Sequence, residues 1–332
     1  MRKRALVIGA GGFVGRHLWQ HLLNQGWTVL GSDILDLPST SNYVSADLAK
    51  PETLQQLFSG TKKPSHVFHL AGISFVPDGN RDPQKAFATN TVGTINLLDA
   101  MIARAPKARL IYVGTSDVYG TPQYLPIDEE HPLAPRNPYA ISKSAADSFC
   151  DYAAKSLGLD VCRVRPFNHS GPGQRSSFAL SSFARQIAEI EAGVVEPVLK
   201  VGNLNVLRDF SHVADVVAAY ETIALGAESG EVYNVCSERS LPLRALLDGL
   251  ISMSSAKVSV KIDKERYRPA EIEEIRGCSR KIREKLEWTP KQSIEQALED
   301  LLGYWRREIE REKGYSASLI SQSRLPLESS LP

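Results

Sequence analysis

Tyr139 and Lys143 stand four positions apart in "NPYAISKSAAD", residues 137–147. On a helix, positions i and i+4 are neighbours on one face. Such a pair is common on any helix surface. It is also minimal equipment for acid/base chemistry. A phenol has an ordinary pKa near 10, and a nearby ammonium favours its ionised form. The pair alone does not choose between these readings.

A second group points to phosphate. Gly9, Gly12 and Gly15 in "GAGGFVG" form GxxGxxG, directly after an apolar run and before a helical pattern. The first glycine permits the turn, the second lets backbone approach a pyrophosphate, and the third lets helix pack on strand. The following helix N-terminus offers N–H groups and a positive dipole end. Asp33 ends the next strand, 18 residues after Gly15. Its carboxylate can accept from adenosine ribose hydroxyls and would repel a 2′-phosphate, which favours NAD(H) and leaves NADP(H) as the alternative. An Asp capping a turn is the plainer reading. Asp47 and Leu48 in "ADL" could lie beside the adenine, although Asp47 could equally cap the helix at "PETLQQLF".

Short strand-like runs recur: "RALVIGA" (4–10), "WTVLGSD" (27–33), "HVFHLAG" (66–72), "RLIYVGT" (109–115) and "DVCRVRPFN" (160–168). Stretches with helical spacing separate them. This alternation predicts an α/β fold, a doubly wound parallel-sheet Rossmann domain with ligands at the carboxyl ends of its strands. After residue 168 the pattern breaks into loops such as "HSGPGQRS", "VGNLNVLRDFS" and "YRPAEIEEIRG", with helices at "SSFARQIAEIEAG" and "SIEQALEDLLGYWRREIE". We expect a smaller α/β C-terminal substrate lobe. The expected division is 1–167 plus approximately 206–236 for the first unit, and approximately 168–205 plus 237–315 for the second. Residues 316–332, rich in Ser and Pro, read as a loose tail.

The 332 residues carry a net charge of +1, which offers no global attraction to nucleic acid or membrane. No stretch approaches the roughly 20 apolar residues of a membrane span. The apolar start is broken by glycines and reads as a buried strand, not a signal peptide. Cys150, Cys162, Cys236 and Cys278 are widely spaced, with no CxxC pair and no Cys/His cluster. They read as reduced thiols of a cytoplasmic protein, with no metal site.

Taken together, "GAGGFVG", "HLAG" (69–72), "NTVGTINLL" (90–98), "GTSDVYG" (114–120), "YAISK" (139–143) and "RPFNHSGPGQ" (165–174) resemble the extended short-chain dehydrogenase/reductases that modify nucleotide-sugars. The resemblance covers most of the chain. It implies Tyr139 as general acid/base, Lys143 as its tuner and a holder of the nicotinamide ribose, and Thr115 as hydrogen-bond partner of the reacting sugar oxygen. It adds Phe13, Val14, Leu70, Ala71, Gly72, Asn90 and Pro166 to the cofactor site. It places Asn168, Gln174, Val201, Arg208, Arg268 and Glu271 around the nucleotide-sugar, with Arg208 and Arg268 toward the diphosphate. It also implies a homodimer through a four-helix bundle built from 83–105 and 139–158.

Asp117 bears on the reaction. Dehydratases of this kind carry Glu there as a base on C5, and Asp is one methylene shorter, so its reach is the weaker point. "SFVPDGNRDP", "PFNHSGPGQ", "RDF" and "VYNVCS" resemble the GDP-sugar branch, specifically GDP-4-keto-6-deoxy-D-mannose reductases, which make GDP-D-rhamnose. The expected partner is therefore a GDP-linked 4-keto-6-deoxy hexose. The rival readings are a dehydratase, an epimerase and a non-catalytic nucleotide-sensing or scaffold protein.

Overall fold

A computed structural model describes residues 3–34, 42–59, 63–266 and 272–322. In the first half, β1 (Arg4–Ile8), α1 (Phe13–Asn24), β2 (Thr28–Asp33), β3 (Tyr43–Ser45), α2 (Pro51–Leu54), β4 (His66–His69), α3 (Val76–Arg81), α4 (Pro83–Phe87), α5 (Gly93–Arg104), β5 (Arg109–Val113), α6 (Pro138–Leu157) and β6 (Val161–Pro166) follow in order. The second half adds β7 (Asn168–Ser170), α7 (Ala179–Glu191), β8 (Val198–Val201), β9 (Leu207–His212), α8 (Val213–Gly226), β10 (Val232–Val235), β11 (Ser240–Pro242), α9 (Leu243–Ser252), β12 (Ser259–Ile262), β13 (Glu274–Ile275), α10 (Arg280–Leu286) and α11 (Ile294–Gln322).

Seven strands form one parallel sheet in the order β10-β6-β5-β4-β1-β2-β3. Parallel strands covered on both faces read as near-continuous apolar runs, which explains the five runs in the sequence. Leu18 and Leu22 of α1 pack with Val216 and Ile223 of α8 on one face. On the other face, Leu97 and Met101 of α5 pack with Ala146 and Cys150 of α6. The strand order reverses at β1, so a crevice opens beyond the carboxyl ends of β1 and β4.

The smaller lobe groups β7, β11 and β13 around β9, with β12 beside β8. Phe183 and Ile187 of α7, Leu246 and Leu250 of α9, and Leu301 and Trp305 of α11 fill its core. The chain then returns to the large sheet through α8 and β10. Glu221 of α8 accepts from Trp27 Nε1 and pairs with His21 Nε2, both at 2.7 Å.

Two features differ from the sequence reading. "LRDFSH", expected to be a loop near the start of the returning segment, is β9 and belongs to the small sheet. Its mixed polar and apolar residues hid a strand that is only partly buried. The last helix runs to Gln322, beyond residue 316, where a loose tail was expected to begin. Residues 323–332 lie outside the described residues.

Candidate active site

Helix α6 starts where its sequence says it should. The Asn137 side chain accepts from Ala140 N at 2.8 Å, and Pro138 occupies the first turn, where its missing N–H costs nothing. Tyr139 is therefore fixed in that turn, with Lys143 one turn later, and both side chains are buried. Thr115 follows the end of β5. Its hydroxyl accepts from Asp117 N at 3.2 Å and caps the short 3₁₀ turn Ser116–Tyr119. The same hydroxyl favours the ionised form of the Tyr139 phenol.

Burial pushes the Tyr139 pKa above its ordinary value, and the charge of Asp117 pushes it the same way, against the pull of the Thr115 hydroxyl. Lys143 Nζ donates to the Val113 carbonyl at 2.6 Å and lies 4.5 Å from the centre of the Tyr112 ring. Burial lowers Lys143 to about 8, opposed by Cys150 and Asp147. Behind it, His69 pairs with the Thr94 hydroxyl at 2.9 Å. Burial, then the Lys143 charge, pull His69 down to about 3, so it stays neutral. The cluster thus gathers a buried phenol, a hydroxyl and a cation around the carboxyl end of β5.

The glycine loop fits a dinucleotide. A Cβ on Gly15 would lie 2.0 Å from the Gly9 carbonyl oxygen, so helix and loop meet without room for a side chain. Gly9 has φ +89°, and a Cβ there would lie 2.7 Å from Ala71 N. Gly12 is the N-cap of α1 and no side chain caps the helix. The first turn, which contains Phe13 and Val14, therefore presents backbone N–H groups suited to pyrophosphate. Asp33 Oδ2 accepts from Gly11 N at 3.0 Å, which places its carboxylate beside the loop. Leu70 and Ala71 follow β4 against the same loop, Gly72 comes next beside Asn90, and Pro166 closes β6.

The other expected site residues also make contacts within the fold. Asn90 spends its amide on structure. It accepts from Ile73 N at 2.8 Å and donates to Ile73 O at 3.1 Å and Ser142 Oγ at 3.0 Å. Leu48 is buried in the core beneath α5, and Asp47 Oδ1 accepts from Ala49 N at 3.0 Å. Val201 is fully buried in the small-lobe core. Gln174 closes its own loop. Its Oε1 accepts from Ser170 Oγ at 2.6 Å, and its Nε2 donates to His169 O at 2.9 Å. Asn168 lies half-buried on β7 opposite Phe210, and Arg208 lies half-buried on β9, donating to Leu207 O at 2.8 Å. Arg268 and Glu271 lie outside the described residues.

The sequence reading missed a buried network beneath the site. Asp147, two turns after Tyr139, accepts from Arg163 and Arg165 of β6. The available signal was two arginines alternating in an apolar strand, since buried cations require a carboxylate.

No helix among the described residues is long and apolar enough to cross a membrane. The model of the family described as GDP-mannose 4,6 dehydratase matches residues 6–301. The chain is 38% identical to GDP-6-deoxy-D-mannose reductase of Pseudomonas aeruginosa, over 94% of this chain and 100% of that protein. A solved structure of RMD from Pseudomonas aeruginosa complexed with NADPH superposes with a TM-score of 0.82 at 37% identity, covering 92% of this chain and 99% of the other. UDP-glucose 4-epimerase of Thermus thermophilus in complex with NAD gives a TM-score of 0.80 at 26% identity, covering 91% and 99%.

Proposed function

We propose, from the premise that the chain belongs to the GDP-mannose 4,6-dehydratase family of extended short-chain dehydrogenase/reductases, that it reduces the C4 keto group of GDP-4-keto-6-deoxy-D-mannose to GDP-D-rhamnose. The observation that carries this reading is the 38% identity to a GDP-6-deoxy-D-mannose reductase over that protein's full length. In such a reaction Tyr139, buried in the first turn of α6, acts as the acid.

Reduced nicotinamide, when bound, supplies the hydride. The glycine loop and the first turn of α1 hold the pyrophosphate, and Lys143 holds the nicotinamide ribose. Tyr139 gives its proton to the C4 oxygen while Thr115 steadies that oxygen. Asn168 and Arg208 orient the nucleotide-sugar, with the guanidinium toward the diphosphate. Asp33 favours NADH, whereas the Pseudomonas structure holds NADPH. The test is therefore absorbance of both reduced cofactors with the GDP-keto sugar. Stoichiometric consumption is expected. A cofactor that is regenerated, not consumed, would move the assignment to dehydration or epimerisation.

Lys143 gives this reading a pH signature. Its folded pKa of about 8 lies below its ordinary value, so the ammonium is lost as pH rises through that point. The kcat/KM profile reports groups of the free enzyme and should fall with unit slope above about pH 8. Lys143→Arg keeps its charge and should flatten that limb at a lower absolute rate. A wild-type profile flat well into the alkaline range would remove the Lys143 charge from the rate.

We also place the enzyme in the cytoplasm as a homodimer. Phe87 and Val92 beside α5, and Ile141, Phe149 and Tyr152 on α6, are 37%, 49%, 42%, 41% and 50% exposed. These helices supply the apolar face of the four-helix bundle. Val92→Glu combined with Tyr152→Glu should sediment as a monomer, and a retained dimer would exclude this face.

A further inference from the structure

Asp147 continues the stripe begun by Tyr139 and Lys143, one helical turn further along α6. Its side chain is 1% exposed. Its Oδ1 accepts from Arg163 Nη1 and Arg165 Nη2, both at 3.0 Å, and its Oδ2 accepts from Arg165 Nε at 3.1 Å. Two-pronged pairing of a guanidinium with a carboxylate fixes orientation as well as distance. Arg163 has a second carboxylate, with Nη2 at 2.6 Å from Asp151 Oδ1.

Arg165 reaches further. Its Nη1 donates to Tyr119 Oη at 3.1 Å, and that hydroxyl donates to Asn234 Oδ1 at 2.7 Å. Asn234 Nδ2 in turn donates to Ile127 O at 3.0 Å. Tyr119 is the last residue of the 3₁₀ turn that Thr115 caps and that contains Asp117. Pro166 and Asn168 follow Arg165 on the same strand and the next.

One buried network therefore joins the helix of Tyr139 and Lys143, the turn of Thr115 and Asp117, and the strand leading into the substrate lobe. Apolar packing holds such elements together but is non-directional. A buried ion-pair network is also a poor source of net stability, because desolvation offsets most of the attraction. What it supplies is fixed direction.

We infer that Asp147, acting through Arg165 and Tyr119, is a positioning residue that sets the separation of Thr115 Oγ1 from Tyr139 Oη and so the direction of proton delivery. The kinetic part of this inference rests on the reductase reading. The geometric part does not.

Tyr119→Phe is the discriminating variant, because it keeps the ring and removes only the hydroxyl link. A misplacement of about 1 Å can cost about 100-fold in rate, so a partial loss of register should lower kcat about 10-fold or more. KM for both substrates should stay within about twofold of wild type, and the solvent deuterium isotope effect on kcat should rise as proton delivery becomes slower. A crystal structure of the variant should show the Thr115–Tyr139 separation lengthened. Asp147→Asn strips Arg165 of its charge partner and should act in the same direction more strongly. Where it does not fold, Tyr119→Phe carries the test. If wild type reduces no keto sugar, the reductase reading falls and the crystallographic separation alone judges the inference. Unchanged kcat in an active enzyme, or an unchanged separation in an inactive one, overturns it.

Discussion

Tyr139→Phe should lose about 10²- to 10⁴-fold in kcat, the range expected for a positioned general acid. In barrier terms this is about 3–5 kcal/mol. The substitution is nearly isosteric. The ring keeps its place against α3, where even a Cβ on Gly79 would lie 3.0 Å from Tyr139 Cβ. Only the hydroxyl goes, and with it the proton that the reaction needs. Water is a poor substitute, because Tyr139 is only 7% exposed. Cofactor affinity, read by fluorescence of reduced nicotinamide, should stay near wild type. Thr115→Ala should lose less, and the double variant should lose little more than Tyr139→Phe, since residues acting as a unit are not additive. If Tyr139→Phe kept more than half of wild-type turnover, the acid would have to be another group.

The parts of this site that the sequence displays are those with hard backbone constraints. GxxGxxG is legible because a Cβ at Gly9 or Gly15 collides with backbone, so no other residue meets the geometry. Asn137, Pro138 and Tyr139 are legible because cap and first-turn preferences fix where α6 begins. The protonation state of Tyr139 is not local in this way. It depends on how deeply the helix is buried and on the charge of Asp117, which no local spacing encodes. The surroundings of Val201 and Gln174 are hidden from the sequence for a related reason. Their loops were identified as belonging to the second lobe, but a motif does not say which side chains the lobe needs for its own core or its own turn. The arginines of β6 could have been read as buried cations. Their partner, however, lies 16 and 18 residues earlier in another element, beyond the reach of any local pattern.

Gly15→Ala should abolish useful cofactor binding, and it separates the roles of two glycines in one loop. At Gly15 the added Cβ would sit 2.0 Å from the Gly9 oxygen and 2.8 Å from Ala10 Cα. Both are backbone atoms, so no side chain can swing away. Either α1 shifts off β1 or the loop opens, and Leu18 and Leu22 of α1 are anchored in the core. Overpacking of this kind costs about 1–3 kcal/mol in stability. A displaced loop also no longer presents its N–H groups together, so affinity for reduced nicotinamide should fall about 100-fold or more, the scale of a misplaced binding geometry. At Gly12 the added Cβ would meet the Gly9 oxygen at 3.2 Å, a contact that a small adjustment relieves. Gly12→Ala should therefore keep nearly the wild-type melting temperature while still weakening cofactor binding, because its cost falls on the approach of pyrophosphate to backbone. Melting curves and fluorescence titrations of the two variants check this directly. Equal losses of stability would mean that both glycines serve packing alone. Unchanged affinity in both would remove the loop from cofactor binding altogether.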